Sequence, residues 1–68
     1  MNIIRQGTII SGHYIDWKII IDDDKNGSTG GYYIYIEHNE EQGFDYWCKD
    51  ELDLENQLSD FDVNWEEK

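Results

Sequence analysis

The run Asp22-Asp23-Asp24-Lys25-Asn26-Gly27 is the stretch of this chain that most resembles a ligand site. It follows the first half of a calcium loop. Oxygen donors stand at alternate positions, Asp22, Asp24 and Asn26, and Gly27 falls where such loops turn sharply. The second half of the pattern is missing. The residue that should supply a bidentate glutamate is Tyr33, and the flanks alternate like strands. A hairpin loop needs the same Asp, Asn and Gly for its own backbone, so Asp22, Asp24 and Asn26 form a weak metal candidate beside an ordinary acidic turn.

Other chemistry finds little support. His13, His38 and Cys48 are the whole complement of imidazoles and thiols, and their spacing makes no zinc motif. Cys48 stands just ahead of a helix start, but Asp45, Asp50 and Glu51 oppose a thiolate there. It reads as a small apolar residue packing beside Trp47. Carboxylates are too abundant for any pair to stand out, and a catalytic pair needs a pocket that separates the two pKa values. With no phosphate-cradling glycine loop and no nucleophile elbow, the chain reads as a binder without a cofactor and not as an enzyme.

The tyrosines carry more. In Tyr32-Tyr33-Ile34-Tyr35-Ile36-Glu37 the period of two sends Tyr32, Ile34 and Ile36 to one face and Tyr33, Tyr35 and Glu37 to the other. An outward tyrosine pair rimmed by acids is the composition of a protein-binding patch. The alternatives are aromatic pairing that only stabilises the sheet, or a face covered by a second copy. The candidate partner-binding set is Tyr14, Tyr33, Tyr35, Glu37, Asp62, Asn64 and Glu66.

These residues need a frame. Sixty-eight residues make one domain, spanning 1–68, with a marginal core. Hydrophobic residues at 38% and aromatics at 15% distinguish it from a disordered acidic chain. A first strand covers Asn2 to Ile10, ended by Ser11-Gly12. A second runs from His13 to Asp22, with Ile15, Trp17, Ile19 and Ile21 inward. A third runs from Gly31 to His38 after the acidic loop. Asn39 to Gly43 is a turn, and Phe44 and Trp47 lead into a helix capped by Asp50, with Leu54, Leu58 and Phe61 as its core stripe. Phe61, Val63 and Trp65 alternate as a last short strand. The expected fold is α+β: an antiparallel sheet of three to four strands with one helix packed on one face, in the order β-β-β-α-β.

Sixteen acidic residues against five basic ones give a net charge of −11. Such a chain repels phosphate backbones and anionic lipid, so direct nucleic-acid or membrane binding is not expected. A basic protein partner is. A single cysteine allows no disulfide within the chain. The N-terminus lacks the features of a signal peptide and no apolar run approaches the roughly 18 residues of a membrane span, so a cytoplasmic location is expected.

The spine Trp17-Lys18-Ile19-Ile20-Ile21-Asp22-Asp23, Thr29-Gly30-Gly31-Tyr32-Tyr33-Ile34, Phe44-Asp45-Tyr46-Trp47 and Val63-Asn64-Trp65 resembles small acidic immunity proteins of bacterial polymorphic or contact-dependent toxin systems. The resemblance implies a cytoplasmic inhibitor that binds a toxin domain, often a basic nuclease, while monomer and homodimer both stay open. It assigns no binding residues. Two other readings fit the charge. One is a phage-type nucleic-acid mimic that inhibits a restriction or CRISPR enzyme, using the acids Asp50, Glu51, Asp53, Glu55 and Asp60. The other is a calcium-responsive module built on the Asp22 loop.

Overall fold

The computed structural model describes residues 2–27 and 29–66. Its elements are β1 (Ile3–Ile9), β2 (Lys18–Asp23), β3 (Tyr32–Glu37), β4 (Gly43–Cys48), α1 (Glu51–Leu58) and β5 (Val63–Trp65). The strands form one antiparallel sheet in the order β4-β3-β2-β1-β5. The expected α+β class stands, with one helix among the described residues. These residues form five strands instead of three to four, and the order is β-β-β-β-α-β.

The first four strands are a meander. Ile9 and Trp17 close the β1–β2 connection, with Ile9 N–H donating to the Trp17 carbonyl at 2.9 Å and Asp16 N–H to the Ile9 carbonyl at 2.7 Å. His13 to Asp16 is therefore a turn, and β2 begins at Lys18, five residues later than the alternation suggests. Asp16 sits at φ 72°, which interrupts the alternation. Ile15 consequently points out to solvent, 52% exposed, while Ile19 and Ile21 are inside as expected.

The β3–β4 hairpin turns at Asn39, whose side-chain oxygen accepts the amides of Glu41 at 2.8 Å and Gln42 at 2.9 Å. The stretch expected to lead into the helix is thus a full strand. It pairs with β3 in six consecutive positions from Tyr32↔Cys48 to Glu37↔Gly43. The chain then enters α1. Asp50 is the N-cap, extended at φ −154°, and its carboxylate accepts the Asp53 amide at 2.8 Å. The Asp53 carboxylate reaches back to the Lys49 amide at 3.3 Å, a capping box displaced by one residue.

β4 and β5 lie on opposite edges of the sheet, four inter-strand steps or about 19 Å apart. The connection from Cys48 to Val63 must cross one whole face. The eight residues of α1 cover about 12 Å of that path and bury Leu54 and Leu58 on the way. They meet Ile9, Ile19, Ile21, Tyr32, Ile34, Ile36 and Cys48 from the sheet. Phe44, Phe61, Val63 and Trp65 are half-buried around this core, and the Arg5 guanidinium covers the Trp65 ring at 3.9 Å. No helix among the described residues is long and apolar enough to cross a membrane.

Candidate functional site

The helix occupies one face, and the pairing registers define what the other face presents. Tyr33 and Tyr35 stand at its centre on β3, with ring centroids 6.0 Å apart and planes inclined by 19°. Asp22 of β2 and Trp47 of β4 flank Tyr33, and Ile20 and Asp45 flank Tyr35. Lys18 lies across from Glu37 at the hairpin end. Each tyrosine is half-buried by its cross-strand neighbours, so the stack is held without being covered.

The electrostatics are one-sided. The Tyr35 phenol is raised above its ordinary value of 10.0, first by desolvation and then by the charges of Asp22 and Asp45, with Tyr33 and Asp24 contributing less. It therefore stays neutral and keeps its O–H as a donor. Asp22 is 7% exposed, and its carboxylate accepts the Asn2 amide at 2.8 Å. Trp47, 48% exposed, donates its indole N–H to the Gly30 carbonyl at 2.8 Å, which fixes the ring at the corner before β3. Toward the β3–β4 hairpin the face continues as a shallow groove lined by Tyr35, Glu37, Glu40, Glu41 and Asp45.

The structure brings together only part of the expected binding set. Tyr33, Tyr35 and Glu37 share the face on β3. Asn64 is on the same face, but on β5, three inter-strand steps or about 14 Å from the tyrosines. Asp62 precedes β5 and is occupied with the loop after β1: its carbonyl accepts the Ile10 amide at 2.9 Å and its carboxylate the Ser11 hydroxyl. Glu66 is exposed beyond β5, with its amide bonded to the Gln6 carbonyl at 2.8 Å. Tyr14 is not on this face. It sits in the His13–Asp16 turn and packs at the end of the core, 5.0 Å from both the Trp17 and Phe44 rings and 6.5 Å from Phe61. Asp22, Asp45 and Trp47 are the members that the expected binding set left out. The alternations Lys18/Ile20/Asp22 on β2 and Asp45/Trp47 on β4 were the signal for them.

The carboxylates of the acidic loop turn to local partners. Asp22 is tied to Asn2, and Asp23 to the Lys25 amide at 2.9 Å and ammonium at 3.5 Å. The Asp24 carboxylate lies back against Gly27. Among the described residues no three His, Cys, Asp or Glu side chains converge as a metal-binding group. His38 stacks on Trp17 at 5.1 Å, and His13 meets Tyr14 edge-on at 5.8 Å. Cys48 is fully buried against the helix, on the opposite face from Trp47 and not beside it. Burial first, then Asp53 and Asp50, push its thiol above the ordinary 9.0.

Compared with protein-family models, curated proteins and solved structures, the chain matches none.

Proposed function

We propose that this protein is an inhibitor that works by capturing a basic protein, in the manner of an immunity protein that neutralises a nuclease-type toxin domain. The observation that carries the reading is the Tyr33–Tyr35 stack, left open on the sheet and flanked by Trp47, Asp22, Asp45 and Glu37. Neutral aromatic faces bind guanidinium and ammonium groups through the ring quadrupole, and adjacent carboxylates add charge-assisted hydrogen bonds. A chain of net charge −11 speeds the approach of such a partner and repels its competitors among acidic proteins. A nuclease domain presents a basic surface of this kind, because it must hold phosphate.

The test is affinity capture with the tagged chain, followed by titration of the recovered partner against two sets of variants. Tyr33→Ala with Tyr35→Ala removes the stack; Glu51→Lys with Glu55→Lys reverses charge on the outer side of α1. The proposal expects the first pair to weaken binding by at least a hundredfold and the second by no more than a few-fold at 0.15 M salt. The opposite pattern identifies a nucleic-acid mimic that uses the helix acids, and overturns the proposal.

A further inference from the structure

We infer that the outer edge of β4 is a docking strand that takes an extended, basic segment of the partner as a sixth strand of the sheet. The inference rests on the proposed function and names how that partner is held.

The hydrogen-bond phase of the sheet fixes which backbone groups are free. The Asp24 amide donates to the Gly31 carbonyl at 2.9 Å, so the pairs Asp22–Tyr33, Ile20–Tyr35 and Lys18–Glu37 carry the bonds between β2 and β3. Tyr32, Ile34 and Ile36 must then direct theirs to β4. At the hairpin, His38 N–H donates to the Gln42 carbonyl at 2.9 Å, which gives the same phase. Phe44, Tyr46 and Cys48 consequently face β3, and Gly43, Asp45 and Trp47 aim their N–H and C=O groups outward. Among the described residues no strand pairs with that side of β4.

Sheets usually blunt an edge of this length. The other edge is blunted, since β5 has only three residues. β4 has six, with no proline, no lysine and no bulge in its pairing with β3. It also leaves Tyr46 and Trp47 nearly half exposed. A strand laid along it would place alternate side chains on the open face, beside Asp45, Trp47 and the acidic groove, and the others beside Phe44 and Tyr46. Lysine or arginine suits the first row and apolar residues the second. A second copy of this chain suits neither, because its own edge would bring another Asp45 and a further net charge of −11.

The probe is the peptide acetyl-Lys-Val-Lys-Val-Lys-Val-Lys-amide, titrated at low salt into ¹⁵N-labelled protein while amide hydrogen exchange is followed. The amides of Asp45 and Trp47 should exchange fast in the free protein and slow at least tenfold at saturation, whereas Tyr46, already bonded to β3, should change little. Asp45→Pro removes an outward N–H that makes no bond within the sheet. It should weaken peptide binding at least tenfold beyond Asp45→Ala, which removes only the carboxylate. Peptide binding that gives no protection at Asp45 and Trp47, and is lost in Tyr35→Ala, would sink the edge inference and leave the proposed function standing. Protection that appears without peptide and grows with protein concentration would assign the edge to a second copy and also overturn it. If the peptide does not bind at all, the edge inference falls, and the proposed function is decided by the affinity capture alone.

Discussion

Two adjacent glycines should separate backbone strain from steric contact in this fold. Gly30 and Gly31 both sit at φ +74° at the corner entering β3. A Cβ on Gly30 would meet nothing within 4 Å, whereas one on Gly31 would lie 2.2 Å from the Cys48 carbonyl oxygen and 2.9 Å from the Trp47 indole nitrogen. For Gly30→Ala the positive φ costs roughly 1–2 kcal/mol. Reduced freedom of the unfolded chain returns about 0.4–1 kcal/mol, so the net loss is about 1 kcal/mol. Gly31→Ala carries the same terms and must also push the Cys48 backbone away by about 1 Å. That weakens the terminal Tyr32↔Cys48 rung, worth about 1 kcal/mol, and pulls a fully buried side chain off the helix. The expected total is about 3 kcal/mol, against about 3–10 kcal/mol for the whole stability of a domain this size. Urea unfolding followed by far-ultraviolet circular dichroism measures both, and avoids a baseline shift from Trp47. Melting temperatures should fall by about 4–8 °C for each kcal/mol lost. Gly12→Ala, at φ +83° with open space around it, should match Gly30→Ala. Losses for Gly30→Ala and Gly31→Ala within 0.5 kcal/mol of each other would refute the steric argument.

Asp50→Ala removes the cap on α1 and should cost about 1 kcal/mol, read as a lower urea midpoint with unchanged slope. The Cys48 thiol is held above its ordinary 9.0, so its contribution to stability is fully present below about pH 9 and is lost as the pH rises beyond that. Urea melts from pH 7 to 10.5 should show that decline, Cys48→Ala should remove its first part, and a thiol reagent at pH 8 should react only as the protein unfolds. Because the net charge is −11, sodium chloride should raise the melting temperature, and calcium and magnesium at equal ionic strength should raise it equally. A larger effect of calcium would show that the Asp22 loop does gather its oxygens.

The sequence made some of this structure readable for a clear physical reason. In β3 every second residue is a large apolar group that needs the core, so Tyr32, Ile34 and Ile36 could go only one way. Asp50 followed by an acidic first turn and Leu54/Leu58 is a helix start whose every level agrees. β4 was obscured because its burial is weak. It is an edge strand, only Cys48 is fully buried, and Asp45 interrupts the aromatic run a few residues ahead of the helix signal at Asp50. The error over Tyr14 came from carrying β2's alternation backwards through Asp16. Aspartate is among the few residues that tolerate a positive φ, and that was the only local hint of a break there.

The open face and the open edge have a common origin in the connections. Three of the links between strands are hairpins or hairpin-like loops that stay at the ends of the sheet. Only the link from β4 to β5 must travel, and it can cover one face only. The chain therefore has no described element left to shield Tyr33 and Tyr35, or the outward amides of Asp45 and Trp47. These two surfaces meet at right angles along β4, since the side chains of Asp45 and Trp47 belong to the face while their backbone belongs to the edge. A partner that pairs with the edge thereby brings its alternate side chains over the aromatic face. Affinity from backbone pairing and specificity from the acid-rimmed tyrosines would then be lost separately, the first in Asp45→Pro and the second in Tyr35→Ala. A partner that merely rests on the face would feel the second change alone.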